Sequence, residues 1–380
     1  MTSTQATDKT LRIGLVGTGF MGKAHAIAYH AAPTVFPLSA SVTCELLAEV
    51  TADLAEQKAR ELGFRRATDN WRALVRDDRV DVVDICSPNF LHKDMALAAI
   101  AAGKHVYCEK PLALNATDAL EMTLAAETAG VKTLVGFNYA KNPAAQLAKE
   151  IIAAGEIGEV VHFRGTHNED YLADPNVPHS WRLKREFSGS GTLGDMGSHI
   201  INMAQYLVGG ISEVSGDLKT VIPQRPVAGN PGAFAEVENE DQAHCLVRFD
   251  NGAQGTLETS RIAWGRKMGL TYEVTGTRGS LVFDQERMSE LKLYTATDPG
   301  HRAGFRTLLI GPDHPDYAHF CVGPGHGIGY NDQKAIEVRD LVEGIVNDRP
   351  LWPDFRAAFE VNRVIDAIEQ SHAEGRWIRL

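Results

Sequence analysis

The sequence predicts an α/β protein in two parts: an N-terminal doubly wound parallel sheet, and a C-terminal domain with a large, mostly antiparallel sheet flanked by helices on one face. Three observations predict it. A glycine-patterned turn joins the first apolar run to the first helix. Short apolar runs then alternate with helical stretches up to about residue 137, the pattern of strand and crossover in a parallel sheet. Beyond that point, runs of alternating apolar and polar residues end in turns such as Asp250-Asn251-Gly252 and Gly276-Thr277-Arg278-Gly279, which mark antiparallel strands.

The first strand is expected over residues 11–16, followed at once by Gly17-Thr18-Gly19-Phe20-Met21-Gly22 and a helix over 23–30. Strand, G-x-G-x-x-G and helix together form a dinucleotide fingerprint. Gly17 permits the tight turn, Gly19 lets a pyrophosphate approach the backbone, and Gly22 lets the helix lie close to the strand. The phosphate charge then faces free N–H groups at the helix start, with Phe20 and Met21 beside it. A second strand over 45–50 carries Glu49 near its end. There a carboxylate either accepts both ribose hydroxyls of the adenosine, repelling a 2′-phosphate and selecting NAD over NADP, or is a solvated strand end.

Helices over 52–62 and 70–76, a strand over 80–87, a helix over 92–102, a strand over 105–107, a helix over 116–129 and a strand over 133–136 complete a Rossmann domain at 1–137. The final helix, about 355–371, is expected to pack back on it. Pro111 cannot continue a strand, because it lacks a ladder donor. Lys110 therefore stands at the strand's carboxyl edge, where ligands bind in open parallel sheets. Ser87, Pro88, Asn89 and His92 at one strand end, and Glu109, Lys110, Pro111 and Asn138 at its neighbours, are expected to rim the nicotinamide end of the cofactor.

The second domain, 138–380, is expected to bind substrate and to oligomerise. Strands are expected over 159–166, 211–221, 242–249, 253–261, 271–275 and 280–283, and a helix begins at Asn331. Between the first two strands, a glycine-rich loop (Gly189, Gly191, Gly194) leads into a helix carrying Asp195 and His199. Four residues apart on a helix, the two side chains share one face. An acid beside an imidazole orients it and favours its charged form, which makes it a better general base.

Composition narrows the remaining classes. With 380 residues, 44% apolar, the chain can bury two cores. Its net charge of −11 is spread without a basic stripe, which disfavours nucleic acid and acidic membrane as partners. Five cysteines, an odd number without C-x-x-C, read as reduced thiols. A polar start and the lack of long apolar runs make cytoplasmic the expected location. No H-E-x-x-H or zinc-type spacing occurs, so no metal is expected. A sheet with helices on one face leaves the other to bury, hence an expected homo-oligomer, dimer or tetramer.

Gly17-x-Gly19-x-x-Gly22, Glu109-Lys110-Pro111 and Asp195-x-Gly197-x-His199, in this order, resemble the Gfo/Idh/MocA oxidoreductase family over nearly the whole chain. Short segments (Ser180-Trp181-Arg182, Gly304-Phe305-Arg306-Thr307, Gly327-Ile328-Gly329-Tyr330) are most similar to its levoglucosan and inositol dehydrogenase branch. The resemblance implies NAD-dependent oxidation of a secondary hydroxyl of a sugar or cyclic polyol to a ketone. Lys110, Asp195 and His199 match the catalytic positions, and Pro111 matches the proline that holds the lysine over the nicotinamide. Substrate contacts are expected from Lys110, Tyr139, Trp181, Arg182, Asp195, His199, His326 and Tyr330. Arg182, Lys184 and Arg185 together could instead mark an anionic sugar. Two departures stand out: Asn202 replaces an aspartate frequent in the family, and Phe137-Asn138-Tyr139-Ala140-Lys141 lacks a frequent arginine. An oxidoreductive glycosidase using the same cofactor, and a non-catalytic NAD-binding sensor, are the alternatives.

Overall fold

The computed structural model describes residues 9–297 and 299–380. Within them the chain separates into two compact units. The first comprises residues up to Ala113, Thr117–Lys141 and Ile328–Phe359; the second comprises Leu114–Ala116, Asn142–Gly327 and Glu360–Leu380. The division is thus not a single cut near residue 137.

The first unit is built on a six-stranded parallel sheet. Its strands are β1 (Thr10–Val16), β2 (Ser41–Ala48), β3 (Arg66–Thr68), β4 (Val82–Ile85), β5 (His105–Cys108) and β6 (Thr133–Val135), in the order β3-β2-β1-β4-β5-β6. Every residue of β4 and β6 is buried, as expected of strands covered on both faces. The order reverses between β1 and β4, which creates a crevice beyond their carboxyl ends.

Three details differ from the sequence expectation. Helix α1 (Phe20–Val35) starts directly after Gly19 and runs on through Pro33. The second strand ends at Ala48, so Glu49 stands just outside the sheet. The three-residue β3 was not expected, because Arg66-Ala67-Thr68 has no apolar pattern and is only half-buried. Helix Tyr330–Val346 also belongs to this unit. It packs beside α1, and its Glu343 accepts hydrogen bonds from the Ser39 N–H (2.8 Å) and hydroxyl (2.8 Å).

The second unit carries a nine-stranded sheet. Its order is Arg306–Leu309, Glu290–Thr295, Gly279–Asp284, Gly269–Gly276, Val160–Asn168, Gln254–Ser260, Gln242–Phe249, Ile211–Lys219 and Ile378–Arg379. All neighbours are antiparallel except Val160–Asn168 with Gln254–Ser260. Register explains the core: Val214, Val247, Phe163, Val274, Leu281 and Leu293 lie in one lateral row and are all buried. The row of opposite pleat, Leu246, Thr256, Arg164, Glu273 and Lys292, is exposed or half-buried. Helix Ser198–Leu207 lies on the buried face, where a Cβ on Gly165 would come within 2.5 Å of Ile200. That glycine sets how closely the helix approaches the sheet.

The final helix, Phe355–Glu374, is divided between the units. Its first turn belongs to the nucleotide unit: the Phe355 N–H donates to Thr133 Oγ1, and the Phe355 carbonyl accepts from Thr123. From Glu360 the helix belongs to the second unit. Ser371 and His372 there accept the Gly216 and Leu218 N–H groups, and Gly216 leaves room for Ile368.

Candidate active site

The nucleotide half of the site is assembled at the carboxyl edge of the parallel sheet. Gly17 has φ +88°, a left-handed conformation that disfavours side chains, and a Cβ there would sit 2.8 Å from the Cys86 carbonyl oxygen. A Cβ on Gly19 would meet nothing within 4 Å, and this residue caps α1 without a side-chain hydrogen bond. Open space in front of uncapped helical N–H groups fits a pyrophosphate. Glu49 completes this half. Its Oε1 accepts the Thr18 N–H (2.8 Å) and hydroxyl (2.5 Å), and its Oε2 accepts the Val50 N–H (3.0 Å). The carboxylate is therefore fixed against the glycine turn.

Phe20, exposed, stacks on Tyr330 with centroids 5.8 Å apart, and Tyr330 donates its hydroxyl to Met21 Sδ (3.1 Å). Tyr139 tilts against the other side of Tyr330 at 6.2 Å. The structure thus brings Phe20, Met21, Tyr139 and Tyr330 into one aromatic group beside the glycine turn. Ser87 and Pro88 precede a short helical turn, Asn89–Leu91, at the end of β4. The Lys110–Pro111 peptide bond is cis.

Two residues expected at the cofactor have their side-chain polar atoms bonded within the protein. His92 is fully buried: its Nδ1 lies 2.9 Å from the Pro111 carbonyl and its Nε2 3.0 Å from the Ser87 carbonyl. It therefore ties the two rim loops together. Burial lowers its pKa and favours the neutral ring. Asn138 is likewise buried and donates its side-chain amide to Gln333 (3.0 Å).

Glu109, buried, accepts from three directions. His25 Nε2 (2.9 Å) and Lys334 Nζ (2.8 Å) reach its Oε1, and the Lys110 main-chain N–H (3.2 Å) reaches its Oε2. Burial would raise the Glu109 pKa, but the charge of Lys334 and the hydrogen bond from His25 outweigh it and hold the carboxyl far below its ordinary range. Burial likewise opposes charge on His25. Asp84, 2.9 Å from Nδ1, together with Glu109 overcomes it and raises the pKa to about 9.

This raised value has a consequence for stability. An unfolded histidine titrates at about 6.5, so the contribution of charged His25 is full below that pH and is lost as pH rises through its folded value. Thermal melts of the wild type and His25→Gln are expected to differ most near about pH 6 and to converge above about pH 9. A gap that widened with pH would contradict the assignment.

Asp195 and His199 lie in the second unit. Residues Leu193–Gly197 form a π-helical turn that continues into helix Ser198–Leu207, so Asp195 and His199 lie about one turn apart. Such turns are frequent at functional sites. His199 is buried, with its ring 5.6 Å from that of His167. His167 Nδ1 lies 2.9 Å from the Met196 carbonyl and Nε2 lies 3.2 Å from Glu169. Tyr171 donates its hydroxyl to Asp195 Oδ2 (2.8 Å). Buried Glu240 fastens the start of the turn, accepting the Gly191 (2.7 Å) and Leu193 (2.9 Å) N–H groups.

Tyr171, His167 and Glu240 were not singled out from the sequence. Each lies in a segment without a motif, and only the fold brings it to the helix. Asn202 is buried with its Nδ2 lacking a hydrogen-bond partner. Trp181 lies under the Arg182 guanidinium at 4.5 Å, with Arg182 exposed. His326 is exposed, its N–H donating to the Tyr317 hydroxyl (3.1 Å) and its Nδ1 3.1 Å from the Gly323 carbonyl.

A doubly wound sheet with a glycine turn, an uncapped helix start and an acid fixed beside them defines an NAD-dependent oxidoreductase. The chain belongs to the Gfo/Idh/MocA family: residues 11–137 match the oxidoreductase family, NAD-binding Rossmann fold, and residues 145–282 match the GFO/IDH/MocA C-terminal domain. It is 42% identical to levoglucosan dehydrogenase of Pseudarthrobacter phenanthrenivorans over 97% of this chain and 98% of that protein. A solved complex of levoglucosan dehydrogenase with NADH and levoglucosan superposes with a TM-score of 0.95 at 42% identity, covering 98% of this chain and 99% of the other. An NAD binding oxidoreductase from Klebsiella pneumoniae superposes with a TM-score of 0.93 at 51% identity, over 97% and 98% of the two chains. Among the described residues, no helix is long and apolar enough to cross a membrane.

Proposed function

We propose that this enzyme oxidises a secondary hydroxyl of a sugar or cyclic polyol to a ketone, with levoglucosan or a closely similar pyranose as its leading substrate. Likeness to a levoglucosan dehydrogenase along nearly the whole of both chains carries this reading. The presence of Lys110, Asp195 and His199 at their motif positions supports it.

Bound NAD supplies the hydride acceptor. Lys110 holds the reacting hydroxyl oxygen and stabilises its developing negative charge. His199 takes the hydroxyl proton, and Asp195, itself held by Tyr171, keeps the imidazole in position. Tyr139, Tyr330, Trp181, Arg182 and His326 are the side chains proposed to select the sugar. Glu49 favours NAD because its fixed carboxylate repels a 2′-phosphate. We place the enzyme in the cytoplasm as a homo-oligomer without a nucleic-acid partner. Support comes from its five free cysteines, its net charge of −11, and the outer face of the nine-stranded sheet, where Val161 and Leu246 stand exposed.

The test is NADH formation on a panel of levoglucosan, hexoses, inositols and acidic and glycosylated sugars, with NAD and NADP in parallel. NAD-dependent turnover, fastest with levoglucosan or another pyranose, is the expected result. Glycoside cleavage without NADH accumulation would instead assign a redox-neutral glycosidase, and NAD binding without turnover of any kind would assign a sensor.

A further inference from the structure

Beneath the Glu109-Lys110-Pro111 turn lies a set of titratable groups that the proposed chemistry does not use. His25 from α1, Asp84 from β4, Tyr107 from β5, and Lys334 and Glu337 from helix Tyr330–Val346 are all buried. Lys334 Nζ lies 2.8 Å from Glu109 and 3.0 Å from Glu337, and Glu337 accepts the Tyr107 hydroxyl (2.5 Å). The His25 ring stacks on Tyr107 with centroids 4.4 Å apart, and the Tyr29 hydroxyl donates to Asp84 (2.8 Å). Two cations thus converge on one oxygen of Glu109, and the other oxygen grips the Lys110 main-chain N–H.

Gly136 is part of this arrangement. A Cβ there would stand 2.4 Å from Glu109 Oε1 and 2.9 Å from Lys334 Nζ, so the glycine keeps the space in which they meet. The Sγ of Cys86 also lies near His25 and Asp84, a grouping of metal-ligand type. Both ring nitrogens of His25 are nevertheless directed at carboxylates, Nδ1 at Asp84 and Nε2 at Glu109. A fold needs no such concentration of buried charge for stability, since well-packed apolar side chains serve as well or better. What the network does is fix a direction: Glu109 cannot turn without breaking contacts to α1, to helix Tyr330–Val346 and to the following amide.

We propose that His25 and Lys334 are positioning residues for the reaction: by clamping the Glu109 carboxylate they hold the Glu109-Lys110-Pro111 turn so that Lys110 is presented in one orientation. The proposal rests on the reading of Lys110 as the group that holds the reacting oxygen. On the other side of the turn, His92 secures the Pro111 carbonyl. Displacement of a catalytic group by about 1 Å costs on the order of 10²-fold in rate.

The test compares Lys334→Met, and the charge-neutral pair Glu109→Gln/Lys334→Met, with the wild type and with Lys110→Ala. Three readouts are taken: kcat on the panel sugar oxidised fastest, NADH affinity by fluorescence, and the rate of reductive methylation at Lys110 by peptide mass spectrometry. Both variants are expected to fold, and Lys334→Met to bind NADH nearly as the wild type does. They should lose about 10²-fold in kcat and change the Lys110 modification rate severalfold, with exposed Lys23 unchanged. In a Lys110→Ala background, Lys334→Met should cost nothing further, because the group it positions is gone.

A wild-type kcat and Lys110 reactivity in either folded variant would overturn the proposal. So would an equal further loss in the Lys110→Ala background, and so would failure of both variants to give protein that binds NADH, which would assign the network to folding. Lys110→Ala retaining full turnover would instead overturn the reading of Lys110 itself. The methylation rate reports on its orientation even if no panel sugar is oxidised.

Discussion

Lys110→Ala is expected to lower kcat by on the order of 10²–10³-fold, the cost of removing one donor to a developing oxyanion. NADH affinity should change little. The glycine turn, the start of α1 and Glu49 belong to other segments of the chain, and Glu49 is held by Thr18 and Val50, not by Lys110. Steady-state kinetics and NADH fluorescence on the same preparation separate the two effects. Loss of NADH binding in parallel with kcat would mean that Lys110 serves the cofactor and not the reacting oxygen. Lys110→Arg should recover little, since a planar guanidinium does not replace a compact ammonium at a single oxygen.

His199→Ala is expected to lower kcat/KM by about 10²–10⁴-fold, the range for loss of a general base. The deficit should be greatest near neutral pH and should shrink as pH rises, because hydroxide increasingly removes the proton that His199 would have taken. Asp195→Asn should show a smaller loss with a similar pH trend, since it leaves the imidazole present but less well oriented. A pH-rate profile of each variant checks this, and a deficit independent of pH would contradict a proton-transfer role. Because His199 is buried against the sheet, the thermal melt of each variant must accompany its kinetics.

Much of this was legible in the sequence because the chemistry depends on short-range patterns. Gly17, Gly19 and Gly22 mark a nucleotide fingerprint by their spacing together with the strand before and the helix after them, and Pro111 marks a strand end because proline cannot donate to a ladder. Asp195 and His199 follow from helical periodicity, although the first turn is π-helical and not α-helical.

What escaped the sequence is what depends on long-range meeting. Lys334 pairs with Glu109 from a helix over 200 residues further along the chain, and nothing around it forms a motif. His92 opens helix His92–Ala101 and Asn138 a short helical turn, and their buried side chains bond Pro111, Ser87 and Gln333. The strands Glu290–Thr295 and Arg306–Leu309 were likewise unforeseen. Arg306–Leu309 is the edge strand and is mostly exposed, so no apolar pattern marks it, whereas Glu290–Thr295 lies one place in and does alternate, burying Leu291 and Leu293.

The proposed reaction removes a hydride from a ring carbon of a sugar and delivers it to NAD. Its most direct test uses levoglucosan deuterated at every ring carbon, incubated with NAD and the wild-type enzyme, with the reduced cofactor analysed by mass spectrometry. Reduced cofactor carrying one deuterium is expected, formed by the wild type and on the order of 10²–10³-fold more slowly by Lys110→Ala. Unlabelled NADH, or no NADH from levoglucosan or any other deuterated panel sugar, would contradict it.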